Sequence, residues 1–196
     1  MEAQFENGFA RVDGGEWLYG MSQPAAVAGT LVAKRLPRAE GSWWRRLFHP
    51  DRRRLQSATL AGRMWCGDRT HPFLTRIDLA ERVTVVTEKL LLAPLPARRA
   101  GSLLRVVPFS FRGAICTTAL EGGWAVMATQ GRTARVAVAD GEMLGVKPAA
   151  VVAWTGNRPT GYCPRLRLRD LVLPRAPKCL RLNFHGPCVV WFEGGG

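Results

Sequence analysis

Proline or glycine interrupts this chain about every ten residues, and the pieces between are short runs rich in valine, threonine and leucine. Thirteen prolines and 21 glycines among 196 residues leave no helical pattern longer than about three turns, the usual minimum for a well-formed globular helix. The expectation is therefore an all-β chain with few short helices. At 47% hydrophobic content it can bury one or two ordinary cores. Candidate strands are residues 25–33, 55–66, 82–87, 89–93, 103–109, 113–120, 124–129, 134–138, 143–146, 149–154, 166–173, 179–184 and 189–192.

Turn chemistry adds pairing to this pattern. Asp140-Gly141 between Arg135-Val136-Ala137-Val138 and Met143-Leu144-Gly145-Val146 has the form of a tight hairpin, because glycine accepts positive φ without steric cost. Gly122-Gly123 and Gly131 mark two further turns. In Arg165-Leu166-Arg167-Leu168-Arg169 the period is two, which places three guanidinium groups on one face of a strand and two leucines on the other. Charge on an edge strand discourages pairing with a second molecule, so solubility is the first reading of Arg165, Arg167 and Arg169 and a partner-binding face the second.

Charge is uneven along the chain. The total is +13, from 28 basic and 15 acidic residues, which favours anionic partners without identifying one. Eight basic residues between Lys34 and Arg54 face only Glu40 and Asp51. Within this stretch, Trp43, Trp44 and Phe48 offer flat apolar surface, and Arg45, Arg46, Arg52, Arg53 and Arg54 can meet phosphate oxygens. Such a segment fits nucleic acid, with rings stacked on unpaired bases, and it equally fits an anionic bilayer surface, with rings in the headgroup layer. The plain alternative is that the rings pin a solvated loop to the body and the arginines face water. The segment at about 38–54 is read as a basic insertion in a single domain spanning 1–196.

From Gly113 onward the sequence resembles the family of the altered-inheritance-of-mitochondria protein twenty-four, β-rich proteins related in fold to the tryptophan RNA-binding attenuation protein. The resemblance rests on Gly113-Ala114-Ile115-Cys116-Thr117-Thr118-Ala119-Leu120-Glu121-Gly122-Gly123, on Asp140 through Met143-Leu144-Gly145-Val146-Lys147-Pro148-Ala149-Ala150-Val151-Val152-Ala153-Trp154, and on Leu182-Asn183-Phe184-His185-Gly186-Pro187-Cys188-Val189-Val190-Trp191-Phe192. Cys188 departs from it, standing where the family usually places another glycine. The resemblance implies a TRAP-like double-layer β-sandwich of two similar halves, frequent self-association and no catalytic residues to carry over.

The residues themselves give little sign of catalysis or of a cofactor. His49, His71 and His185 are read as lacking, at short spacing, the nucleophile or carboxylate that acid–base work requires. Cys163, Cys179, His185 and Cys188 are zinc-type donors, but they lack the close pairing of structural zinc sites, so no metal is expected. Five scattered cysteines read as reduced thiols. No run approaches the roughly 18 uninterrupted apolar residues of a membrane span, and the acidic start Met1-Glu2-Ala3-Gln4-Phe5-Glu6 lacks the basic head of a secretory signal. The resulting expectation is a cytoplasmic protein, peripheral to a membrane if the basic loop meets lipid. Its expected role is that of a non-catalytic, self-associating scaffold or interaction module, with nucleic-acid or membrane binding as the alternatives.

Overall fold

In the computed structural model the described residues are 2–6, 8–20, 24–35, 56–68, 70–95, 98–105, 114–162 and 180–194. In chain order the strands are β1 (Ala3–Glu6), β2 (Phe9–Tyr19), β3 (Ala26–Arg35), β4 (Gln56–Cys66), β5 (Phe73–Asp78), β6 (Val83–Val86), β7 (Leu90–Pro94) and β8 (Arg98–Arg105). They continue with β9 (Ala114–Glu121), β10 (Trp124–Thr129), β11 (Thr133–Val138), β12 (Met143–Val146), β13 (Val151–Thr155), β14 (Thr160–Tyr162), β15 (Arg181–His185) and β16 (Cys188–Glu193). The fold is an all-β sandwich of antiparallel strands. A first sheet runs β3-β4-β2-β7-β10-β5, with β1 also on β2; a second runs β11-β16-β13-β6-β9-β8; a third, small sheet runs β12-β15-β14.

Three apolar cores follow from this stacking. Leu18, Ile77, Leu90, Ala93, Ala125 and Met127 of the first sheet meet Val83, Val85, Leu120, Val152 and Ala153 of the second. On the far side of the second sheet, Val86, Leu104, Trp154 and Val190 pack with Val146, Leu182 and Phe184 of the third. The remaining core lies within the first sheet, because that sheet folds over on itself. Ala10 and Val12 from one arm of β2 share this core with Trp17 and Tyr19 from the other, as do Met64 and Cys66 with Ala58 and Leu60 on β4. Strand β10 is buried along its whole length, since Trp124, Val126 and Ala128 serve the folded-over core while Ala125 and Met127 serve the next. Its first five residues are accordingly an unbroken apolar run rather than an alternating one.

The fold-over is a backbone feature. Gly14 and Gly15 sit where the β2·β4 register shifts, Gly62 lies on β4 at the same level, and Gly29 is the direct partner of Gly62 on β3. All four have positive φ, reaching 125° at Gly29 and 133° at Gly62. Neighbouring strands can keep their hydrogen bonds through a bend only if they bend at the same level, and here each supplies a residue without a Cβ at that level. A Cβ on Gly29 would collide with the Ala61 carbonyl, and one on Gly62 with the Ala28 carbonyl. The Trp17 indole N–H donates to the Gly14 carbonyl oxygen at 2.8 Å, and its ring lies 5.7 Å from that of Trp124, which pins the crease to the core.

Two other corners resemble each other. β6 leads through a 3-10 turn at Thr87–Lys89 into the buried β7, and β12 leads through a 3-10 turn at Pro148–Ala150 into the buried β13. Each carries the chain from one sheet to the next. The Asp140-Gly141 turn behaves in the same way, which corrects the hairpin expected there. β11 pairs with β16 and β12 with β15, not with each other. Gly141 does adopt positive φ, but the Glu142 N–H bonds to Ala139 and the Gly186 N–H to Glu142, so two facing turns bend a ribbon from the second sheet into the third.

Most expected strands are present within a residue or two. The strand expected at 103–109 instead runs Arg98–Arg105, and residues 106–109, like the strand expected at 166–173, lie outside the described residues. β1, β2, β5 and β14 were not anticipated. β2 escaped because Asp13-Gly14-Gly15-Glu16 has the composition of a loop, although here the glycines crease a continuous strand.

One ionic latch ties these layers together. Lys89 donates to the Glu193 carboxylate at 2.7 Å and to the Ala149 carbonyl at 2.6 Å, and the other Glu193 oxygen accepts the N–H of Gln130 at 2.7 Å. Burial pulls the Lys89 ammonium below the usual lysine range despite the carboxylate beside it. Burial also opposes ionisation of Glu193, but Lys89 and the backbone N–H groups outweigh it and hold the carboxyl below its ordinary range. A carboxylate with a depressed folded pKa stabilises above its unfolded value, about 4.3, and loses that contribution as pH falls through the folded value. Replacing Glu193 by Gln is expected to cost about 3 kcal/mol at neutral pH, with the gap to wild type closing in urea titrations below about pH 4. Gly62→Ala is expected to cost at least about 2 kcal/mol, read as a lower urea midpoint.

Candidate functional site

β3, one of the first sheet's two terminal strands, is a long and largely exposed edge. One edge of β3 pairs with β4 from Ala26↔Trp65 to Arg35↔Gln56; the other pairs with no strand among the described residues. Every residue from Ala25 to Ala33 is exposed except Leu31, which is half-buried, and Val32 reaches 51%. Side chains alternate along it. Val27, Leu31 and Ala33 share the face of Met64, Leu60 and Ala58, which line the folded-over core, whereas Ala28, Thr30 and Val32 share the outer face with Arg63, Ala61 and Thr59. No charged residue occurs from Ala25 to Ala33, so the strand lacks, until Lys34 and Arg35 at its end, the charges by which edges are usually protected.

β3 and β4 are joined by residues 36–55, which contain the whole Trp43, Trp44, Arg45, Arg46, Arg52, Arg53 and Arg54 set. That set lies outside the described residues, as does the row Arg165, Arg167 and Arg169. Their charge can still be placed relative to the framework. The described residues hold 15 basic and 12 acidic residues, a surplus of three; the remaining 13 basic and three acidic residues, a surplus of ten, belong to the segments outside them. The chain's positive charge is therefore concentrated in the connections, while the sheet framework is close to neutral.

A hollow of about 410 Å³ lies on the second sheet, with Trp154 and Leu104 as apolar lining, Thr84 and Thr117 beside them, and Arg82, Arg158 and Glu81 at the polar side. Among the described residues its lining offers polar and aromatic contacts but no histidine or cysteine. Trp154 itself is buried against Phe184, and Trp191 lies under the Arg135 guanidinium at 5.8 Å. Both tryptophans are occupied in packing.

The histidine reading needs one correction, at a loop between β4 and β5. His71 Nδ1 lies 3.2 Å from an Asp68 oxygen and 2.8 Å from the Thr70 hydroxyl, and the Thr70 hydroxyl and N–H both donate to the other Asp68 oxygen. Burial acts to raise the Asp68 pKa, yet these donors hold it below the usual carboxylate range. The signal was visible as Asp68-x-Thr70-His71. Hydroxyl and carboxylate contact the same ring nitrogen, however, whereas a relay needs the nucleophile across the ring, so the cluster is arranged to order a loop. Cys163 and Cys179 lie outside the described residues. Among the described residues no group of three or more His, Cys, Asp or Glu could hold a metal, and no helix is long and apolar enough to cross a membrane. Burial pushes the Cys66 thiol up to about 12, away from reactivity.

No family model and no curated protein matches the sequence. Among solved structures, the crystal structure of protein SPYM3_0169 from Streptococcus pyogenes, a structural genomics target, superposes with a TM-score of 0.71, covering 100% of this chain and 93% of that one at 14% identity. The likeness is one of fold. It extends the sandwich to a second sequence and carries no activity, ligand or partner to this one.

Proposed function

We propose that the protein is a non-catalytic, self-associating β-sandwich module of the altered-inheritance type that its carboxyl-terminal motifs resemble. The observation that supports this best is the open β3 edge: an uncharged stretch from Ala26 to Ala33, exposed except at half-buried Leu31, with one row of backbone N–H and C=O groups unpaired among the described residues. An edge of this kind is a template for adding a strand, and without charge to block it the chemistry favours association. The cytoplasm is the compartment proposed for it. Light scattering coupled to size exclusion at micromolar concentration is expected to give a defined multimer; a strict monomer would remove the reading.

A second reading rests on the segregated charge. A surplus of ten positive charges outside the nearly neutral described framework, eight of them in 36–55 and 163–179, supports docking of an anionic surface through those two segments. Trp43 and Trp44 suit either unpaired bases or a headgroup layer, and Arg165, Arg167 and Arg169 would add to the cationic side. For single-stranded RNA, affinity is expected to fall steeply between 50 and 200 mM salt, as counterion release dictates on the order of one counterion per phosphate contacted, and R52Q/R53Q/R54Q to flatten that slope. A salt-independent affinity counts against nucleic acid. Flotation with anionic but not neutral vesicles, lost in W43A/W44A, would mark lipid instead.

A further inference from the structure

We infer that the β3 edge is completed by the β3 edge of a second copy, antiparallel about a two-fold axis that passes through Gly29. The inference rests on the self-association proposed above and specifies where it occurs and in which register. Its starting point is the crease. β3 bends at Gly29, where φ is 125°, and its existing partner follows the bend because Gly62 stands directly opposite. Any strand added to the outer edge meets the same geometric condition. A straight strand could bond to one arm of β3, before or after the bend, but not to both. A strand that follows the whole edge must carry its own crease at the level of Gly29.

β3 itself is such a strand. In an antiparallel pair centred on Gly29, bend meets bend, and residues whose numbers sum to 58 stand opposite each other. Ala28 then faces the partner's Thr30, Val27 faces the partner's Leu31, Ala26 faces the partner's Val32 and Ala25 faces the partner's Ala33. Small residues meet small ones beside the crease, and branched apolar residues meet one place further out. Val27 and Leu31 lie on the core-facing side of the ribbon, with Val27 39% exposed and Leu31 half-buried against the folded-over core. Pairing them across the axis joins the two copies' folded-over cores into one apolar layer, which is the contact that hydrogen bonding along an edge cannot supply alone.

The ends fit as well. Lys34 and Arg35 fall outside the matched span and go to opposite ends of the pair, whereas parallel pairing would bring like charges side by side. Lys34 comes opposite the partner's Pro24, which has no N–H to donate, so the ladder stops there. The two-fold operator makes the contact closed, and it consumes the edge in both copies.

Engineered thiols test the register. In V27C/L31C each new thiol faces its complement in the other copy, and mild oxidation is expected to give a covalent dimer on a non-reducing gel; V27C and L31C alone are expected to give none, because residues of equal number sit about 13 Å apart across the axis. Charge on the edge tests the energetics. V27K, at a position the fold already leaves partly exposed, is expected to weaken self-association about tenfold or more, with a circular-dichroism melt close to that of wild type. A multimer that persists in V27K, or that cross-links through V27C alone, overturns this interface while leaving self-association standing. A monomeric wild type overturns both.

Discussion

Hydrogen-bonded strands must bend together or lose their ladder, and the architecture of this protein is organised around that condition. The first sheet folds over because β2, β4 and β3 each place glycine at one level, at Gly14-Gly15, Gly62 and Gly29. Without that crease, Val12 and Met64 could not share a core with Trp17 and Leu60, and the central strands β7 and β10 would each have an uncovered face. The ribbon formed by β11-β12 and β15-β16 meets the same requirement at Gly141 and Gly186, where the two turns lie against each other.

Apolar burial then holds what the backbone bends bring together, and polar contacts decide how the layers sit. Lys89 follows one 3-10 corner, bonds the carbonyl of Ala149 in the other, and pairs with Glu193 near the end of the last strand. A charge buried without a partner is costly, so this arrangement penalises any displacement of the second sheet relative to the first.

The crease also limits what can occupy β3. Most exposed edges accept any extended chain, which is why they are hazardous. A bent edge accepts along its whole length only a matching bend, so the glycine that makes the fold-over possible also restricts any strand added there. The cationic segments are a separate matter: the described framework is nearly neutral, and ten of the thirteen net positive charges belong to residues outside it.

The all-β class was legible from the sequence because proline and glycine spacing excludes long helices locally, residue by residue, and strands such as Trp124–Thr129 and Met143–Val146 fell where composition placed them. The places where the chain turns were legible for the same reason. Which strand follows which in a sheet was not. Asp140-Gly141 turns as its chemistry dictates, yet the strands on either side pair elsewhere, because the same φ serves a hairpin and a change of sheet equally well. Asp13-Gly14-Gly15-Glu16 carries no strand signal for the complementary reason: only the neighbouring strands, with Gly62 and Gly29 brought alongside from far along the chain, make those glycines a crease. Local conformational preference belongs to the sequence. Partnership between distant strands, and which strands end a sheet, belongs to the tertiary structure, since it depends on which backbone groups meet in space.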